Sequence, residues 1–364
     1  MSIDFSAERW AKVKEDSRLW WAGKLKRPLL QMTTTGRDPG RPEPTTPTPN
    51  RGITSYNLKY SPEAIVDRWD YELEIREFLG DAFPNLWVDF GAGVVAAFMG
   101  ALADPALDTV WFHPAQEREV TELDFRFDSE NPIVRRIADI YRIGMQRWNG
   151  QVQMGMTDLG GNLDILSTFR PSEKLLLDLY DHPDHVKRLT WQAHDIWWKY
   201  FNQFNQILQP TKKGFNPGYT AWTSIFSEEP YYMLQCDFCY MIGPDMFDEF
   251  VKPELEATCK KLKNAFYHLD GPGELAHLDS LLSIKELKGV QWVPGAGQRD
   301  VDEWPEVYQK IRAAGKLIQT FASMKTFDSL VEKLGSAEGM VNILPVKPSQ
   351  RGEAEAFLRK YGAM

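Results

Sequence analysis

His268 and Asp270 stand two residues apart in the run Phe266-Tyr267-His268-Leu269-Asp270-Gly271-Pro272-Gly273. The apolar residues before them read as a strand end, and Gly271-Pro272-Gly273 breaks it sharply. Residues at i and i+2 of a strand point to one side, so an imidazole and a carboxylate converge where the strand stops. Such a pair can hold a metal or share a proton. The alternative is a capping aspartate beside a histidine satisfied by a backbone carbonyl.

Further polar residues fall where other short apolar runs end: Asp89, Asp158, Gln291, Gln319 and Asn342. Buried charges and amides are costly unless paired, so their repetition at strand ends reads as one lined site. Cys236 and Cys239 form a C-x-x-C in Gln235-Cys236-Asp237-Phe238-Cys239. Without a second pair this is no zinc knuckle, though either thiol could join a neighbouring metal site. Cys259, inside a predicted helix, reads as a small core residue. His182, His185 and His194 lack the i, i+4 spacing of a helical metal site and are expected at the surface or at caps.

The elements that must position these groups follow from periodicity. Residues 6–22 predict an amphipathic helix with Trp10, Val13 and Trp20 on one face and Gly23 as its stop. Residues 26–32 read as a strand, and 36–50 as a proline-rich loop. A helix capped at Ser61-Pro62 is expected to run to about Gly80, and a strand at Trp87-Val88-Asp89 follows it. Asn131-Pro132 opens another helix, with Ile133, Ile137, Ile140, Tyr141 and Gly144 on one stripe. Residues 151–156 form the next strand, and helices over 171–180 and 183–208 come after it.

The last third repeats a helix, a glycine and a short strand three times, through Gly289, Gly315 and Gly339 read as helix C-caps. Strands separated by helices must be parallel. With strands near 29, 87, 152, 217 and 265 the count reaches about eight, which predicts an α/β chain folded as a single (β/α)8 TIM barrel. A doubly wound sheet is the alternative, but no glycine-rich dinucleotide fingerprint follows the first strand. Residues 1–55 are the N-terminal extension, a helix and proline-rich loop on a barrel of residues 56–364.

Composition narrows the function. The 364 residues are 43% hydrophobic and 26% charged, ordinary for a globular chain. A net charge of -9 with no basic face argues against nucleic acid. No run of 18 apolar residues suggests a membrane span, and the first ten residues lack a signal peptide's apolar core. Three cysteines, an odd number, fit a reducing cytoplasm. The 13 tryptophans suit either a large core or an aromatic-lined pocket.

Several blocks resemble the uroporphyrinogen decarboxylase superfamily, which includes corrinoid-dependent methyltransferases. Gly243 to Pro253 resembles its S-P-x-x-F-x-x-F-x-x-P helix. Tyr267 to Gly271 resembles the H-x-C-G strand end of its methyltransferases, and Val88 to Gly100 the S-D-I-L…M-G block. Met156 to Arg170 resembles its G-x-x-T-L strand and loop. The resemblance runs from about residue 60 and implies one TIM barrel.

It implies site residues one by one. Asp89 matches the catalytic aspartate of the decarboxylases, and Arg37 the end of their carboxylate-binding M-R-Q-A-G-R block, here Met32 to Arg37. The decarboxylase tyrosine falls near Leu166 and is missing, and no histidine follows His277. Zinc methyltransferases bind their metal through a histidine, a cysteine two residues on and a late cysteine. His268 matches the first, Asp270 replaces the second, and Cys236 is the nearest substitute for the third.

The resemblance therefore implies methyl transfer to or from a corrinoid or a thiol, with decarboxylation of a carboxylated tetrapyrrole or mere ligand binding as the alternatives. His268, Asp270, Asp89 and Asp158 are the expected catalytic groups. Arg37, Trp222, Gln235, Tyr240, Gln291, Trp292, Gln319 and Asn342 are expected against the substrate, a small molecule. Zinc or another divalent metal on His268, Asp270 and Cys236, a corrinoid carried by a partner protein, and a homodimer complete the expectation.

Overall fold

The computed structural model describes residues 3–49, 52–107, 109–209 and 216–364. Its strands in order are β1 Leu29–Thr35, β2 Arg76–Gly80, β3 Asn85–Trp87, β4 Leu102–Pro105, β5 Val110–His113 and β6 Gln153–Gly155. There follow β7 Tyr231–Leu234, β8 Asn264–Asp270, β9 Leu287–Val293, β10 Leu317–Thr320 and β11 Met340–Pro345. One sheet has the order β2-β1-β11-β10-β9-β8-β7, with every pairing parallel except β2 on β1. β3 and β6 form a separate parallel pair, and β4 and β5 an antiparallel one. The fold is thus mixed α/β, with its parallel strands in two separate sheets and β4-β5 as a third, antiparallel pair. Among the described residues, ladder pairing does not join the two into one ring.

The expected strand near 217 is not there. Asn216-Pro217-Gly218 gives an irregular segment because proline lacks a donor and Gly218 lies where a Cβ would meet Ser227 O at 2.3 Å. Only the isolated bridge Tyr219–Ser227 forms. The segment still reaches β6, with Met156 N–H donating to Thr220 O at 2.9 Å. The missing parallel strand is β7, whose four residues Tyr231 to Leu234 are all buried.

Three expected boundaries also shift. The helix begun at Ser61, whose hydroxyl accepts from Ala64 N–H, ends at Glu74. β2 follows it, because Leu79 pairs with Met32 and Gly80 (φ +60°) ends that strand instead of the helix. Gly289 is inside β9, where a Cβ would fall 2.1 Å from the Phe266 ring, so it is a packing glycine and no cap. The cap of the helix Met324–Leu334 is Gly335 (φ +73°), four residues before Gly339.

The amphipathic patterns hold. The helix Ala7–Trp21, capped by Ser6, buries Trp10, Val13 and Trp20. Trp20 stacks on Phe266 of β8 with centroids 6.0 Å apart, which ties the N-terminal helix to the central sheet. The helix Pro132–Trp148 buries Val134, Ile137, Ala138, Tyr141 and Met145 at helical spacing, while Ile133 is only partly covered. Each such side chain contributes about 1.5–3 kcal/mol on burial. One hydrophobic cluster runs from Ile3 to Ala363 and holds both ladders in place.

Candidate active site

A cavity of about 710 Å³ opens beside the C-terminal ends of β3, β6, β7 and β8. Trp87 and Asp89, Asp158, Gln235 and Asp237, and His268 line it from those four places. Trp222 lines it from the irregular segment, and Trp69, Leu73 and Phe321 complete its apolar wall.

His268 is the best-defined group. It pairs with Gln291 across β8 and β9, and its Nδ1 hydrogen-bonds Gln291 Oε1. Gln291 Nε2 in turn donates to Gln319 Oε1, and Gln319 Nε2 donates to Thr320 O at 3.4 Å. The amide order of this chain makes Gln291 Oε1 an acceptor, so Nδ1 carries a proton, and in the neutral imidazole the lone pair is on Nε2. Trp222 meets the imidazole edge-on at 5.1 Å and 89° and fixes its plane. Gln291 and Gln319 are fully buried, and Asn342 bonds Thr320 Oγ1 at 2.8 Å and Ala322 O at 2.9 Å. These three amides, expected against substrate, form a buried network behind the histidine and do not line the cavity.

Asp158 follows β6 and is buried. Its Oδ1 accepts from Gly160 N–H at 2.9 Å and from the Tyr232 hydroxyl at 3.4 Å. Burial raises its pKa to about 7, with the backbone hydrogen bonds opposing and the charges of Asp237 and Asp89 adding. The position is held by close approach of three loops. A Cβ on Gly160 would meet Gly93 Cα at 2.4 Å, and one on Gly161 would meet Gln235 O at 1.9 Å. Asp89 caps its own turn through Gly91 N–H at 2.9 Å.

Asp237 was not anticipated as a site residue. The half-buried carboxylate of Asp164 accepts from the N–H of Asp237 at 3.0 Å and of Phe238 at 2.8 Å, which sets this turn at the cavity rim. Sparse solvation raises the Asp237 pKa, His268 lowers it and Asp270 raises it again. Its side chain still reaches solvent, so Asp158 is the firmer carboxyl held protonated near neutrality. The signal for Asp237 was the missed strand: a four-residue apolar run after Pro230 places the next polar residues at a strand end.

Other expected residues lie elsewhere. Asp270 shares a side with His268, Oδ2 to Nε2 3.9 Å, but points to solvent beyond the cavity lining. Arg37 donates to Glu74 O at 3.0 Å and faces a different surface cavity, since its loop turns away after β1. Tyr240 is exposed and covers Gly271 and Gly273. Trp292 is buried against Trp304, because alternation along β9 turns it away from its neighbour Gln291. Trp222 and Gln235 do line the cavity. His194, expected at the surface or a cap, is buried and bonded to Glu254 Oε1 at 2.6 Å.

Among the described residues, His268, Asp270 and Cys236 do not come together as a metal site. Among the described residues, no three of His, Cys, Asp and Glu are grouped so as to hold an ion. Cys236 is fully buried beside Cys239, and burial pushes its thiol pKa well up, which opposes the thiolate a zinc site requires. Among the described residues no helix is long and apolar enough to cross a membrane.

No family model and no curated protein matches the chain. Its fold is nevertheless that of a solved structure, a methyltransferase from Methanosarcina mazei. The likeness has a TM-score of 0.64 and covers 97% of this chain and 99% of that one, at 13% identity. At that identity what is shared is the fold.

Proposed function

We propose that the protein is a methyltransferase-like enzyme of the uroporphyrinogen decarboxylase superfamily, acting on a small molecule bound beside His268. In this reading β1, β3, β6, β7, β8, β9, β10 and β11 are the eight strands of a (β/α)8 barrel, with the cavity at their carboxyl ends. The observation that carries the proposal is the cavity over the β8 strand end, in a chain whose fold matches a methyltransferase over nearly its whole length.

The chain's own residues suggest how the reaction is assisted. Moving a methyl group off a heteroatom leaves that atom in need of a proton, and moving it onto a thiol requires a proton to be taken away. Asp158, carboxyl-protonated up to about pH 7, is the donor that fits the first need. His268 Nε2, which holds the lone pair in the neutral imidazole whose Nδ1–H is committed to Gln291, is the acceptor that fits the second. Trp69, Trp87 and Trp222 give the shared cavity an apolar wall beside both. The acceptor, a thiol or a corrinoid on a partner protein, is proposed on the sequence resemblance, and no step above passes through a metal.

Decarboxylation of a porphyrinogen is the less favoured reading. A multiply carboxylated substrate needs several cations, and among the described residues Arg76 is the single Lys or Arg lining the cavity. The test is to assay purified protein on uroporphyrinogen and, in parallel, on methyl ethers, amines and thioethers with a thiol or a reduced corrinoid as acceptor. Demethylated product without loss of carbon dioxide is expected. Release of carbon dioxide from uroporphyrinogen, abolished by Asp89→Asn, would assign the decarboxylase branch.

A further inference from the structure

Arg76 opens β2 opposite Thr35 of β1, so its side chain lies on the same sheet face as Gln31, Thr33 and Thr35. It lines the main cavity and also a second one of about 400 Å³, and Asn85, Ser224 and Ile343 line both as well. Arg76 therefore stands where the two spaces meet.

Its neighbours leave its charge uncompensated. Glu72, one turn earlier in the chain, is held by Arg68 Nε at 2.9 Å. Glu74 is taken by Arg41 at 2.6 Å, and Glu77 by Arg351 at 3.0 Å. Among the described residues no carboxylate lies within ion-pair distance of the Arg76 guanidinium, and no hydrogen bond engages it. Burial lowers its pKa, and the more distant Glu72 opposes that only in part. A half-buried guanidinium without a partner is costly, and an oxyanion is the ligand its planar donor fork fits.

We infer that Arg76 is an anion subsite. It takes the single carboxylate, sulfonate or phosphate of a small, largely apolar organic acid whose other end lies toward His268. Ser224 and Asn85 supply polar rim at the same junction, and Trp69, Trp87 and Trp222 wall the space in which the apolar body rests. The inference builds on the methyl-transfer reading only in saying which end reacts; the subsite itself is read by binding, without turnover.

The experiment is thermal unfolding of the full chain with millimolar benzoate, methanesulfonate or inorganic phosphate, each against benzamide as the neutral partner. At least one anion raises the wild-type Tm while benzamide does not, and the responding arm identifies the oxyanion. Arg76→Gln abolishes the rise, Arg76→Lys keeps part of it, and Arg37→Gln, in a different cavity, keeps all of it. No rise with any anion in the wild type, or an undiminished rise in Arg76→Gln, overturns the inference. If Arg76→Gln fails to fold, wild-type protein is treated with phenylglyoxal and mapped by mass spectrometry. The anion should slow modification of Arg76 at least tenfold and leave Arg37 unaffected; equal rates with and without anion overturn the subsite. Loss of methyl transfer with the anion response intact would count against the reaction and leave the subsite standing.

Discussion

Replacing Asp158 by Asn should stabilise the protein at alkaline pH and leave it unchanged in acid. The carboxyl is buried, and its pKa moves from 3.8 to about 7. A raised acid binds its proton more tightly in the folded chain than in the unfolded one. The associated stability is complete below the unfolded value of 3.8 and is lost as pH rises through about 7. A shift of about 3 pKa units corresponds to about 4 kcal/mol at 1.36 kcal/mol per unit. Asn keeps an oxygen for the Gly160 N–H and never ionises. Urea unfolding of the wild type and of Asp158→Asn at pH 4 and pH 8 measures the difference directly. The variant gains about 4 kcal/mol on the wild type between the two pH values. A pH-independent difference between the two proteins would refute the claim that Asp158 is a carboxyl held neutral by burial. The same group sets a functional expectation: a step that needs its proton slows as pH rises through about 7.

Other outcomes follow from the same geometry. Glu274 is buried with both carboxylate oxygens unpartnered, and burial raises its pKa to about 10; Glu274→Gln therefore stabilises at pH 8, read by urea midpoint. Gly161→Ala pushes a methyl into Gln235 O and costs about 1–3 kcal/mol or more, with ligand affinity falling because the Asp158 loop moves off Gln235. Trp20→Ala, outside the cavity lining, removes a fully buried ring stacked on Phe266 and costs about 3–5 kcal/mol, while ligand affinity of the folded fraction is unchanged. Dialysis against a chelator leaves Tm unaltered, since no grouped ligand set exists among the described residues; a drop in Tm reversed by zinc would show a metal site assembled from other donors.

How much of this was legible in the sequence depended on the range of the interactions involved. The helices Ala7–Trp21 and Pro132–Trp148 announced themselves through local spacing and caps, because burial of one stripe is a local pattern. His268 at a strand end was legible for the same reason, through alternation and the Gly-Pro-Gly break. β7 was missed because four consecutive buried residues carry no alternation, and the Pro-Gly segment near 217 took its place in the count. Gln291, Gln319 and Asn342 were placed against substrate, although Gln291 bonds Gln319, and Asn342 bonds Thr320 and Ala322; such pairing is a long-range fact that spacing does not encode. Arg76 escaped notice inside an expected helix, and only the antiparallel pairing of β2 brings it to the cavity. Arg37 illustrates the converse: its motif fits, but its loop carries it to another surface.

The most direct test of the account is transfer of a 13C-labelled methyl group, followed by NMR, with wild-type protein, His268→Ala and Gln291→Leu. The account predicts label moving from a methylated organic acid to a thiol or corrinoid acceptor in the wild type. It also predicts loss of at least a hundredfold in His268→Ala, and a smaller loss in Gln291→Leu, which frees the imidazole to change tautomer. Label transfer at an undiminished rate in His268→Ala would contradict the claim that this strand end is where the chemistry happens.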